Sequence, residues 1–155
     1  ADILWHMAEA EGVTVFGTSA KYLAVLEQEG VVPRTQVNLS VLRAILSTGS
    51  PLSEKSYEFV YRDIKADVHL ASISGGTDIV SCFALGHPGL PVWKGELQVP
   101  GLGMAVEVFD PNGQAVIGEP GELVCTVPFP SMPVAFWDDA DGERTRLAVF
   151  GTICR

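Results

Sequence analysis

Five consecutive residues, Ser74-Gly75-Gly76-Thr77-Asp78, combine the groups that hold a nucleotide phosphate. Two glycines let backbone amides come close to an anion, a threonine hydroxyl donates to a phosphate oxygen, and a neighbouring carboxylate binds the magnesium that neutralises it. The same residues also read as a plain turn in which Thr77 caps a helix starting at Ile79. A second run, Ser47-Thr48-Gly49-Ser50-Pro51, offers a flat backbone edge to a purine ring, whose nitrogens need backbone donors and acceptors rather than charge. It too has a plain reading, because any strand-to-helix connection favours Gly, Ser and Pro.

The flanking patterns place both runs at strand ends. Ile3, Leu4, Met7 and Ala8 recur at helical spacing, and Gly12 is the stop signal. A strand is expected over 13–16. Thr18 and Ser19 then cap a helix that buries Tyr22, Leu23, Val25 and Leu26 and ends at Gly30. Residues 42–46 read as a buried strand entering the 47–51 run. Ser53 caps a helix reaching about Arg62, with Tyr57, Val60 and Tyr61 inward and Glu54, Lys55 and Glu58 outward. A third strand is expected over 68–73, entering the 74–78 run. Strands alternating with helices predict an α/β fold with a parallel sheet and crossover helices, in which ligands sit at the carboxyl ends of strands. From about residue 86 the prolines crowd and the apolar runs shorten. Strands are expected at 104–109, at 114–117 as its hairpin return, and at 122–127. The expected organisation is an α/β portion over 1–90 and a β-rich, barrel-like portion over 91–155.

Composition narrows the partners. Ten basic against nineteen acidic residues give a net charge of −9, which repels nucleic acid and anionic membrane surfaces at long range. A local phosphate site remains compatible with that total, since backbone amides and a bound cation suffice. With 47% hydrophobic residues the chain can bury a core, and no segment approaches the roughly 18 apolar residues of a membrane span. Cys82, Cys125 and Cys154 are odd in number and show no paired spacing, as expected of reduced thiols in a cytoplasmic protein. His6, His69 and His87 lack metal-ligand spacing, and Ser81-Cys82 has no nearby base for nucleophilic catalysis. Trp5, Trp93 and Trp137 read as packing residues. The absence of an initiator Met leads us to expect a start inside a longer protein.

The order of the two turns, followed by Gly121-Glu122-Leu123 and an aromatic-rich stretch ending Ala135-Phe136-Trp137, resembles the adenylate-forming acid–CoA ligases over most of the chain. The resemblance implies part of the large N-terminal domain of such an enzyme, with ATP, magnesium, CoA and a small acid as its ligands. It assigns Gly49, Ser50 and Pro51 to the adenine pocket, and Ser74, Gly75, Gly76 and Thr77 to the nucleotide. Thr77 would contact the α-phosphate and Asp78 the magnesium, making these two the catalytic pair; Glu122 would be structural. Two departures stand out: Ser74 replaces the usual aromatic residue, and Asp78 replaces the commoner glutamate, with a shorter reach. The 74–78 run, with Val92-Trp93-Lys94-Gly95-Glu96 and Gly101-Leu102-Gly103-Met104, is similar to the acetoacetate-activating branch. There Gly75 would stand where acetate-activating relatives place a tryptophan that shortens the acyl pocket, leaving room for a longer keto acid. A phosphate loop with a lysine, a ribose-binding motif after Phe150 and a C-terminal domain with a catalytic lysine are missing, and the sequence departs from the family pattern over 151–155. The expectation is therefore a fragment that does not catalyse alone. The alternatives are a ligase for another short-chain acid, a non-catalytic nucleotide- or acyl-binding module, and an interaction domain whose glycine turns are only structural.

Overall fold

The computed structural model describes residues 2–145, which divide into two compact units. The first comprises Ala1–Gly75 and Cys82–Gly101, and the second Gly76–Ser81 and Leu102–Arg155.

In the first unit, helix α1 (Ile3–Ala10) buries Trp5 and Ala8. Strand β1 (Val15–Ser19) leads directly into α2 (Ala20–Gln28), where the Ser19 hydroxyl accepts the Tyr22 amide at 3.1 Å and so satisfies an otherwise orphaned first-turn donor. Gly30, at φ +66°, closes α2 with its N–H on the Glu27 carbonyl, while Val31 N–H reaches the Leu26 carbonyl. Strand β2 (Ala44–Thr48) is followed by α3 (Glu54–Phe59), capped by Ser53, whose hydroxyl accepts the Ser56 amide at 3.2 Å. The helix expected to reach about Arg62 continues instead as a π-helical turn, Val60–Ile64. Strand β3 is His69–Ser72.

The three strands form a parallel sheet in the order β1-β2-β3, in register at Phe16, Ile45 and Leu70. These three are buried, and they join Leu23, Leu26, Phe59, Val60 and Ile64 in one core. Trp5 stacks on Phe16 with ring centroids 4.5 Å apart. β1 and β2 begin two residues later than the apolar runs suggest and extend further, because hydroxyl residues continue the ladder: Thr18 pairs with Ser47, and Ser19 with Thr48; β3 falls within its expected 68–73 span.

Strands β4 (Ser74–Gly76), β5 (Ser81–Leu85) and β6 (Val99–Pro100) form a second sheet in that order, β5 and β6 being antiparallel. Between β5 and β6 the chain folds back as a strap held by Gln98. Its side-chain oxygen accepts the His87 amide at 3.1 Å and lies 2.9 Å from His69 Nε2, and its amide donates to the carbonyls of His87, Leu90 and Pro91. With three carbonyls fixing the Gln98 amide, its oxygen is the acceptor, so His69 carries a proton on Nε2.

In the second unit, β7 (Val106–Phe109) pairs antiparallel with β8 (Glu122–Cys125). The hairpin return expected at 114–117 is not a strand; a single bridge joins Phe109 to Ala115. Asp110 accepts the amides of Asn112 and Gln114 and so closes the turn. Ile117 is fully exposed, so extending the pairing would bury nothing there, and Gly118, at φ +77°, turns the chain away. Gly121 immediately precedes the true partner strand, at a spot where a Cβ would run into the Phe109 carbonyl. Among the described residues no helix is long and apolar enough to cross a membrane.

Candidate nucleotide-binding turns

The first turn leaves the carboxyl end of β2. Ser47 is fully buried, and its hydroxyl has no hydrogen-bond partner. Thr48, Gly49, Ser50 and Pro51 are then exposed, and Leu52 and Ser53 re-anchor the chain, one in the core and the other as the α3 cap. Gly49 sits at φ +86°, a conformation an L side chain rarely adopts, although the space beside it is open. The result is a backbone edge pinned at both ends and bare in the middle.

The second run starts beside the first. Ile73 N–H donates to the Ser47 carbonyl at 2.8 Å, so β3 delivers Ser74 and Gly75 to the sheet edge from which residues 49–51 emerge. Gly49, Ser50, Pro51, Ser74 and Gly75 all belong to the first unit. Gly76, Thr77 and Asp78 belong to the second. There Thr77 and Asp78 are exposed, and Ile79 is buried as the anchor of the turn. No helix begins at Ile79: residues 77–80 are a turn that takes Val80 to φ 48° before β5. Thr77 is therefore not a helix cap. Its hydroxyl makes no hydrogen bond and Asp78 makes no ion pair among the described residues. The Asp78 carboxylate lies over Gly76 so closely that a Cβ on Gly76 would overlap it. A small residue at 76 thus gives that carboxylate its position.

A concavity of about 610 Å³ in the first unit lies elsewhere. Glu9, Leu39, Ser40 and Lys65 line it, and they precede β1, β2 and β3, at the amino ends of the strands. It is partly filled by its own contacts: Glu9 accepts the Asn38 amide, and Lys65 donates to the Ser40 and Leu42 carbonyls. The carboxyl-end turns better fit the general placement of ligands in open α/β sheets.

Sequence reading passed over Tyr57 as anything but a core residue. It is 2% exposed, and its hydroxyl donates to the Glu96 carbonyl at 3.0 Å. Burial raises its pKa. A buried phenol always needs a partner, but nothing local in the sequence points to one 39 residues away.

No family model matches the chain. It is 58% identical over 149 residues to the acetoacetyl-coenzyme A synthetase of Rhizobium meliloti (strain 1021), covering 96% of this chain and 23% of that protein. To the acetoacetyl-CoA synthetase of Mus musculus it is 52% identical over 149 residues, covering 96% of this chain and 22% of that protein. Its fold matches a solved structure of the acetoacetyl-CoA synthetase from Streptomyces lividans with a TM-score of 0.89 at 45% identity, over 97% of this chain and 24% of that one. Over nearly its whole length the chain is therefore similar in sequence and in fold to acetoacetyl-CoA synthetases. It spans less than a quarter of the length of the curated relatives it matches. The resemblance seen in the sequence is thus borne out by identity and by fold, and the chain shares its fold with that solved synthetase.

Proposed function

We propose that this chain is the part of an acetoacetate–CoA ligase that presents the adenine-side turn and the α-phosphate turn. The observation that carries the reading is the pair of glycine-containing runs, 47–51 and 74–78, in a chain 58% identical to an acetoacetyl-coenzyme A synthetase. In the complete reaction the acetoacetate carboxylate attacks the α-phosphorus of ATP, giving an acyl-adenylate and pyrophosphate. The CoA thiol then attacks the acyl carbon and AMP leaves.

Gly49, Ser50 and Pro51 offer backbone atoms to the adenine ring. The amides around Gly75 and Gly76 and the Thr77 hydroxyl bind the α-phosphate and stabilise the charge that builds there during attack. Asp78 suits magnesium: it is exposed, makes no ion pair among the described residues, and rests on a glycine whose missing Cβ leaves it room. The ion would neutralise phosphate charge, with nucleotide oxygens and water completing its shell. Gly75 is exposed at the strand end and is assigned to the wall of the acid pocket. These are ground-state contacts that become stronger as the transition state forms, which is why positioning dominates. The thiols of Cys82 and Cys125 are free, in keeping with a cytoplasmic setting.

The test replaces the matching segment of the Rhizobium synthetase with this chain and measures acetoacetate-dependent ATP–pyrophosphate exchange. Exchange is expected in the chimera, and no acetoacetyl-CoA formation is expected from the 155-residue chain alone. A chimera that is as stable as its parent, binds ATP and shows no exchange with acetoacetate would overturn the assignment.

A further inference from the structure

The turn that carries Thr77 and Asp78 is held by two neighbouring residues that pull against each other. Val80 sits at φ 48°, and among the described residues only Asp138 shares a positive φ without being glycine. Aspartate tolerates that conformation through its short polar side chain, whereas a β-branched valine is strained in it. Val80 is 83% exposed, so packing of its isopropyl group does not offset the strain. The hydrogen bond that closes the turn, from the Val80 amide to the Thr77 carbonyl, is long at 3.4 Å. On the other side stands Ile79, which is 4% exposed and is the one buried residue of the 76–81 segment. β5 begins at Ser81 and is fixed by its pairing with β6. A rotation of Val80 toward an extended φ is therefore taken up by residues 77–79 and draws Ile79 out of its buried place. Burying one isoleucine outweighs one left-handed β-branched residue only narrowly, on the order of three- to tenfold in the ratio of closed to open turn.

We propose that Ile79 is a positioning residue for Thr77 and Asp78. Its burial holds the 77–80 turn closed against the strain at Val80, and the narrow balance makes closing the turn part of binding the nucleotide. The inference rests on the ligase reading above, in which the closed turn presents the Thr77 hydroxyl and the Asp78 carboxylate to the α-phosphate and its magnesium. A ligand that bridges those two side chains binds the closed turn better than the open one, so it shifts the ratio toward closed. Its apparent affinity is in turn lowered when more of the free protein is open. Weakening the Ile79 anchor therefore raises the KM for ATP and leaves kcat near its value, since the saturated enzyme has the turn closed. Removing the Thr77 hydroxyl acts on kcat instead, because that group is lost from the transition state.

The experiment uses the chimeric Rhizobium synthetase, because turnover requires the remaining length of the enzyme. In acetoacetate-dependent ATP–pyrophosphate exchange, Ile79→Ala is expected to raise the KM for ATP roughly tenfold or more, at a kcat within about twofold of the unsubstituted chimera. Val80→Gly in the Ile79→Ala background should bring that KM back by roughly three- to tenfold, because glycine takes the left-handed conformation without strain. Val80→Ala keeps a Cβ and should restore less than Val80→Gly. Val80→Gly should not rescue Thr77→Ala, whose defect is a missing hydroxyl. Without any ligand, amide hydrogen exchange over residues 77–81 should be faster in Ile79→Ala than in the unsubstituted chimera, and slower in Val80→Gly alone. An unchanged KM in Ile79→Ala, or a loss confined to kcat, overturns the proposal. So does a rescue by Val80→Ala equal to that by Val80→Gly. If Ile79→Ala does not fold in the chimera, Val80→Gly alone decides, and hydrogen exchange over 77–81 no slower than in the unsubstituted chimera overturns the balance. Absence of activity in the unsubstituted chimera, with the hydrogen exchange as expected, would instead count against the ligase reading alone.

Discussion

Gly86 packs so tightly on Ala71 that a Cβ at position 86 would overlap the Ala71 methyl; it would also come within 2.8 Å of His69 Cε1. Ala71 is 1% exposed on β3, so it has nowhere to retreat. We expect Gly86→Ala to destabilise the first unit by about 1–3 kcal/mol, the usual cost of overpacking a closed site. The shift would be read as a lower urea midpoint at an unchanged slope. A neutral result would mean that the strap from β5 to β6 yields more readily than its Gln98 contacts suggest.

Asp139 gives the second unit a dependence on acid. Its carboxylate accepts the Thr145 hydroxyl at 2.5 Å, the Thr145 amide at 2.7 Å and the Arg144 amide at 3.0 Å. The Thr145 oxygen in turn accepts the Phe136 amide. The Thr145 hydroxyl is the main cause that holds the carboxyl below its usual range, with the backbone amides adding to it. A depressed native pKa means that the stabilisation is fully present above the unfolded value, about 3.9, and is lost as pH falls through the native one. Amide protection at residues 144 and 145 should therefore decline below about pH 4. Asp139→Asn should lower protection at neutral pH and flatten that decline.

Much of this fold was legible because apolar residues alternate where the sheet is buried: Phe16, Ile45 and Leu70 mark the inner face of β1, β2 and β3. The ends of β1 and β2 were placed early because Thr18, Ser19, Ser47 and Thr48 contribute backbone pairing without an apolar signal. The 114–117 return was misread because apolar composition alone does not report burial, and Ile117 packs against nothing. The bare 48–51 connection was visible from composition, but that Ser74–Gly76 form a strand before the turn was not. That Thr77 starts a turn into β5 instead of a helix was not, since the same residues serve either end. The contact between Tyr57 and Glu96 joins segments far apart in sequence, where no local period can carry information.

Thr77 and Asp78 should each matter to adenylation. In the chimeric synthetase, Thr77→Ala removes a phosphate donor and Asp78→Ala a cation ligand. Single losses of this kind commonly lower the rate on the order of 10²–10³-fold. Gly76→Ala gives a finer test, because its methyl would displace the Asp78 carboxylate while leaving its charge in place. Its exchange rate should fall, and raising magnesium should recover more of it than in Asp78→Ala. Near-normal exchange in Thr77→Ala and Asp78→Ala together would reduce the turn to a structural link between β4 and β5.

Gly75→Trp should move preference from acetoacetate toward acetate. Gly75 is exposed in β4, outside the buried Phe16, Ile45 and Leu70 layer, so an indole there need not disturb that layer. In the pocket it would occupy the volume that the two extra carbons and the keto oxygen require. Overfilling a shaped site typically costs about 1–3 kcal/mol, enough for a roughly tenfold or larger change in relative kcat/KM. Acetate, which does not reach that volume, should lose less. The comparison is made in the chimeric synthetase by acid-dependent ATP–pyrophosphate exchange, with ATP binding measured alongside. If activity on both acids falls equally while folding and ATP binding hold, Gly75 does not face the acid. Its lack of a side chain would then serve close approach of the backbone to the phosphate, and the determinant of acid length would have to lie in a segment outside this chain.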